Sequence, residues 1–362
     1  MSLLDFIPLY IPHGISFSSD WYYYNAGTDM SEETMKDPAK RLENAIKNMR
    51  YREERYPEIF MPDGKPRSEQ SCNPGLGHGV TTVASMLGAN VKYVPHLDPQ
   101  SVPSVDVFKI DPVKDFKVPD IQDAMEPIFK EIDMILDMGF SKSQIGFPNL
   151  QGPLNIAFET LGDNQMMKLL VNKKKEEQVK HILEVTSDTF LEAHKALRKE
   201  LKRSSRGGWT TAGCTYVYLS PRTFRKFVVP IIEKCAKELG PVGLHHCGVA
   251  NHDQLDAYSE VDFTGVEFGF GTDIHHARVN FLNNERGLIN ISCRMSPYRM
   301  LNQSAEQIKK DIEWLIEVGK GGPQSINVVG CPHGTPDENV FAYWNTIEEY
   351  NHRKEEEEEE DW

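Results

Sequence analysis

Residues 241–248 read PVGLHHCG, a short apolar run that closes on two histidines, a cysteine and a glycine, and a second apolar run, residues 325–330, closes on Cys331. Side chains along a strand alternate with period two, so a strand here turns His245 and Cys247 to one side and His246 to the other. One imidazole and two thiolates form a ligand set suited to zinc, and three protein ligands leave one coordination position open, as in catalytic zinc sites. A structural zinc site closes with a fourth Cys or His. The spacing HxC with a lone cysteine 84 residues later is not the paired CxxC knuckle of a zinc finger. Free cysteine is also among the most often buried residue types, so a packing role for Cys247 and Cys331 stands beside the metal reading. His246 reads as structural, or as a partner to the ligands.

Outward from this run, apolar strand-like segments alternate with amphipathic helices from about residue 104 onward, the pattern of a parallel sheet. The spacing predicts strands at residues 105–110, 145–150, 209–219, 242–247, 263–268, 288–293 and 326–331, with residues 90–95 assigned to the N-terminal part. Helices are expected over 121–138, over about 174–201, from Ser220-Pro221 to Gly240, and over 308–318 behind the capping box Ser304-Ala-Glu-Gln307. A second capping box, Thr335-Pro336-Asp-Glu338, opens the last helix. With no internal repeat or linker, the expected fold is α/β, a (β/α)8 TIM-type barrel in one domain over residues 1–352, with residues 1–103 as an N-terminal elaboration and 353–362 as a disordered acidic tail. Working residues in such barrels gather at the C-terminal ends of the strands. His245, Cys247 and Cys331 stand there, as do Glu267 and Cys293.

Composition bounds the function. The chain has 362 residues, 39% apolar and 26% charged, ordinary values for a folded protein. Its net charge of −14, half of it from Glu355–Glu360 and Asp361, argues against a nucleic-acid partner. No apolar run is long enough to span a bilayer, so no membrane role is expected. Residues 3–15 are apolar but carry Asp5, Pro8 and Pro12 without a basic flank or cleavage site, unlike a signal peptide, and the expected location is cytoplasmic. Six scattered cysteines fit reduced thiols rather than a disulfide framework.

Weaker signals are also present. Residues 75–79, GLGHG, resemble a phosphate loop, but no clear strand precedes them and Val80 replaces the third glycine of a dinucleotide fingerprint. His275-His276 follow Asp273 on a loop where a metal or plain solvent would suit them. The helix opening at Pro336 aims its N-terminus near Cys331, where free N–H groups suit an anionic part of a ligand.

The ordered set of motifs resembles the uroporphyrinogen decarboxylase superfamily, specifically its corrinoid-linked branch, such as the methylcobamide:coenzyme M methyltransferases. The pieces are SMLGANVKYV around Gly88, QGPL at 151–154, LSPRTF at 219–224 leading to Pro230, LHHCG at 244–248, and Gly330-Cys331 running into TPDEN at 335–339. The resemblance covers most of the chain. It implies the (β/α)8 barrel and carries zinc-ligand roles onto His245, Cys247 and Cys331. In that branch zinc holds the acceptor thiol as a thiolate, which attacks the methyl group of a corrinoid protein; a coordinated thiol is deprotonated by the metal's charge. The fourth position then holds water, substrate sulfur or a carboxylate, with Glu267 preferred over Glu159, or else Cys293 closes the site. Glu267 and His333 are the catalytic candidates, because His333-Gly334 is similar to a His-Gly pair in the decarboxylases. The chain departs from the decarboxylases in having no arginine before Arg41, and from many relatives in lacking an aspartate in the strand WTTAGCTYVYL.

Three functions follow as expectations. The first is a zinc-dependent methyltransferase moving a methyl group from a corrinoid protein to a thiol or pterin. The second is a metal-independent decarboxylase of a tetrapyrrole or related carboxylate. The third is a non-catalytic barrel with structural zinc that binds a corrinoid or a thiol.

Overall fold

The computed structural model describes Pro8 and residues 10–77, 79–282 and 288–360. Its strands are β1 (His13–Phe17), β2 (Asn90–Val94), β3 (Leu97–Val102), β4 (Trp209–Ala212), β5 (Val242–His245), β6 (Phe263–Phe268), β7 (Asn290–Met295) and β8 (Gln324–Cys331). The fold is mixed α/β with parallel strands, as expected. Contacts divide the chain into two compact units. One holds the chain up to Trp21, Tyr216–Pro221 and everything from Val242 onward; the other holds Tyr22–Thr215 and Arg222–Pro241.

In the first unit β1 and β5–β8 form one parallel sheet in the order β1-β8-β7-β6-β5. Its strands are two-faced. Val266, Phe268, Ile291, Cys293, Met295, Ile326 and Val328 are buried on one face, a continuous apolar surface. The alternate positions carry His245, Glu267, Ser292, Arg294, Ser325 and Asn327, so the second face is a polar row. Register sets its order: His245 pairs with Glu267, Glu267 with Ser292, Ser292 with Ser325, and Arg294 with Asn327.

Helix boundaries in this unit follow local capping chemistry. Asn251 and Gln254 form a reciprocal capping box at the start of His252–Tyr258, and Ser304 accepts from the Gln307 amide at the start of Ala305–Val318. The last helix, Asp337–Glu360, continues through most of the acidic run, while Asp361 and Trp362 lie outside the described residues. Its inner face holds the N-terminal strand: Tyr343 donates to the carbonyls of Gly14 and Ile326, Asn351 brackets both backbone groups of Ile11, and Tyr350 donates to Pro8.

The second unit is mainly helical, with β4 and the β2–β3 hairpin, which is antiparallel. Its helices include Pro38–Arg55, Ile121–Asp137 and Glu176–Glu200. The helix expected between Ser220 and Gly240 is interrupted: a π-turn at Phe224–Val228 precedes Val229–Leu239. Pro230 has no N–H to give the preceding turn, and a widened turn absorbs the loss.

Two expected strands are absent, and both have local causes. At 105–110, Asp106 accepts from the Phe108 amide and pairs with Lys109, folding a turn, while the Gln165 amide bonds Val105 and Val107 as a neighbouring strand would. At 145–150, Pro148 removes a donor, the Gln151 amide bonds back to the Asn149 side chain, and Arg203 takes the Ile145 carbonyl. The run at 209–219 is a strand only to Ala212; a 3-10 turn over Cys214–Tyr218 follows.

Candidate functional site

β5 ends at His245, and Cys247 lies two residues beyond it. The ladder persists past the strand: the His246 amide donates to the Glu267 carbonyl and the Gly269 amide to the Gly248 carbonyl. A Cβ on Gly269 would stand 2.8–2.9 Å from the Gly248 backbone and the Cys247 carbonyl, so only glycine lets β6 follow this closely. The close approach fixes the backbone that carries Cys247.

Three side chains converge here. His245 Nε2 lies 2.8 Å from Cys247 Sγ, and its Nδ1 lies 2.5 Å from Glu267 Oε1. Arg294 Nε stands 3.5 Å from the same carboxylate oxygen. Burial opposes charge on His245, yet its bonds to Cys247 and Glu267 prevail and raise its pKa to about 9. Burial likewise opposes charge on Glu267, but the bond from His245 and the charge of Arg294 hold it below the usual carboxylate range. The result is a cation between a thiol and a carboxylate. Cys247 is exposed, so the thiol is open to a ligand.

His246 points to the opposite face. It is fully buried beside Tyr258 and Phe268, with Nδ1 2.9 Å from the Gly248 carbonyl, a packing and turn-holding role.

Cys331 is placed differently. It closes β8 opposite Phe17 and is fully buried; burial pushes its thiol up to about 12. Gly330 takes φ +78° and the β1–β8 register shifts beside it, which breaks the alternation and turns Cys331 inward. Among the described residues Cys331 belongs to no set of three His, Cys, Asp or Glu ligand atoms lying within 4.8 Å of one another. His245 and Cys247 are therefore assembled, and Cys331 is not gathered with them.

The remaining candidates separate. Cys293 pairs in register with Phe268 on the apolar face, away from Glu267, and burial raises it to about 12. Glu159 lies in the second unit, where burial raises it to about 7 and Ser101 donates to it at 3.4 Å. His333 is exposed in the turn after β8, its backbone N–H donating to Asp20, which also accepts from Ser18. His276 stacks on His252 at 4.0 Å, each bonded to an aspartate, Asp256 and Asp273. In the glycine run at 75–79, His78 lies outside the described residues, and Arg41 donates to the Gly75 carbonyl.

A model of the family described as uroporphyrinogen decarboxylase (URO-D) matches residues 75–350. The chain belongs to this family. The URO-D match spans both units and includes every candidate ligand named above. No match was found among curated proteins. Among solved structures, the chain is similar to one named a methyltransferase from Methanosarcina mazei, with TM-score 0.63 and 16% identity, over 96% of this chain and 97% of that one. At that identity the likeness shows the fold.

Arg294 was not singled out from the sequence. The strand was expected to end at Cys293, and extension to Met295 brings Arg294 onto the polar row. A charged residue two positions after a polar one inside an apolar strand, Ser292-Cys-Arg294, was the available signal.

Proposed function

We propose that this chain is a methyltransferase that takes a methyl group from a corrinoid protein and passes it to a thiol or pterin, with zinc held by His245, Cys247 and Cys331. The observation that carries the reading is the bonded series Cys247, His245, Glu267 at the strand ends of a URO-D family chain. The name of the similar methanogen structure supports it. So does the parallel arrangement, in which a (β/α)8-type barrel would collect these strand ends at one mouth.

The donor pair fits the metal. Tetrahedral bonds of about 2.0 Å to nitrogen and 2.3 Å to sulfur space two donors about 3.5 Å apart. Nε2 and Sγ stand 2.8 Å apart, so rotations of under about 1 Å suffice. Glu267 accepts from Nδ1, which fixes the tautomer that presents Nε2 as a donor pair and makes the ring more basic. Bound zinc would supply a means of holding the acceptor sulfur as a thiolate. Cys331 joins the set only if the turn at Gly330 releases its side chain from the core.

The decarboxylase reading has less support. Arg41, the first arginine, is buried, paired with Glu131 and spent on the carbonyls of Met35, Pro74 and Gly75. Four of its five N–H donors are used inside the protein, which leaves one on Nη1 and no paired fork for a substrate carboxylate. No helix among the described residues is long and apolar enough to cross a membrane.

The test is metal content joined to transfer. About one zinc per chain is expected, falling near zero in Cys247→Ser with the melting curve retained. The zinc-loaded protein should demethylate methylcobalamin when given a thiol or pterin. Absence of transfer to every such acceptor, alone or with corrinoid proteins, overturns the proposal.

A further inference from the structure

His13 opens β1 at the edge of the sheet opposite the strand ends that carry His245 and Cys247, and its side chain is 2% exposed. Its Nδ1 lies 3.2 Å from the Ile11 carbonyl, which can only accept, so that nitrogen carries the proton and Nε2 of the neutral ring presents a lone pair. Nε2 is buried and makes no hydrogen bond among the described residues, although Glu348 Oε1 stands 3.0 Å away, off the line that a hydrogen bond needs. Two electron-rich atoms thus face each other, and a positive charge between them makes the contact favourable. Glu348 Oε2 is in turn 3.6 Å from Nε2 of His352, one helical turn on, while Trp344, one turn back, packs its ring 4.3 Å from that of His13.

We infer that His13, Glu348 and His352 hold a divalent metal ion of the zinc class, a clip between β1 and the last helix. A proton on Nε2 points along the ring and away from Oε1, so it does not bridge the pair. A metal ion needs no straight line, because the lone pairs of its ligands converge on it from different sides. Bonds of about 2.0 Å to nitrogen and to oxygen space two such donors about 2.9 Å apart at a right angle and about 3.3 Å apart in a tetrahedron. The 3.0 Å between Nε2 and Oε1 falls in that range. Two imidazoles and a carboxylate suit zinc or a neighbouring transition ion, and a helix presents ligands four residues apart on one face. The three ligand atoms do not all stand within 4.8 Å of one another, and the His352 side chain, 70% exposed, closes the set by turning about its own bonds. Glu348, 34% exposed, gives the ion its way in. Lacking a thiolate, this set holds its ion more loosely than the strand-end site and releases it on dialysis. The clip rests on these three residues and not on the methyltransferase reading.

Titration of metal-free protein with cobalt(II) tests the inference, because cobalt bound through thiolate carries a sulfur-to-metal absorption that a site of nitrogen and oxygen lacks. Two ions per chain are expected, a tighter one with that absorption and a weaker one without it, the second quenching tryptophan fluorescence through Trp344. His352→Ala, at an exposed position, should weaken the second ion about tenfold or more, and Glu348→Gln, close in shape, should abolish it, with the first ion unchanged in both. Cys247→Ser should remove the sulfur absorption and leave the second ion bound. One ion per chain in the unaltered protein, a second that binds Glu348→Gln as tightly, or a second that leaves the fluorescence unmoved overturns the inference. Absence of the sulfur-bound ion with the second retained would sink the strand-end zinc and leave the clip standing.

Discussion

The ends of β5 and β8 carry the same chemistry in opposite states. Each places a cysteine at the C-terminal edge of one parallel sheet, yet Cys247 is exposed and 2.8 Å from an imidazole, whereas Cys331 is sealed with burial alone acting on its thiol. The difference lies in the backbone. Cys247 lies two residues past the end of β5 with its side chain exposed, while the left-handed Gly330 and the shifted β1 register fold Cys331 under the C-terminal helix. A strand end therefore does not make a ligand by itself; the local backbone decides whether the side chain there faces solvent or the core.

The largest effect that tests this contrast is reactivity. In metal-free protein Cys247 should be alkylated about a hundredfold or more faster than Cys331, since a thiol near 12 is scarcely ionised at neutral pH. Peptide mapping after limited iodoacetamide treatment reads the ratio, and equal labelling would break the contrast.

Next is the partner of the open end. Glu267→Gln keeps the shape but loses the charge that orients His245, and zinc affinity should fall about ten- to hundredfold by competition with a chromophoric chelator. Unchanged affinity would mean that the carboxylate serves Arg294 alone.

The smallest effect is on stability. His245 is raised from 6.5 to about 9, so its contribution in metal-free protein is full below pH 6.5 and is lost as pH rises through about 9. With a quarter of the side chain exposed, about 1–2 kcal/mol is expected. Denaturant midpoints should fall across that window and flatten in His245→Gln. A slope retained in the variant would place its origin elsewhere.

Much of the sheet was legible because its strands are short and apolar on one side. Residues 263–268 match β6, and the reading of β5 and β8 missed only their ends. The failures came from side chains acting as backbone: Gln165 paired residues 105 and 107, and no periodicity reveals a glutamine elsewhere in the chain. At the site, a two-residue offset in β7 decided more than any motif. Ending that strand at Cys293 made a packing cysteine look like a ligand and left Arg294 in a loop. Alternation brings His245 and Glu267 together because the ladder between their strands is regular at that point, whereas a bulge and a left-handed glycine reset the count before Cys331.

The pairing of β1 with β8 also governs how the molecule can be made. A chain leaving the ribosome presents His13–Phe17 long before Ile326, its ladder partner, or Tyr343 and Asn351, its fasteners, have emerged. That strand must wait unpaired, and contacts so distant in sequence close slowly. Assembly of the sheet thus waits for β8 and the helix that follows it, and a nascent chain stalled short of β8 would expose an open edge for chaperones to guard.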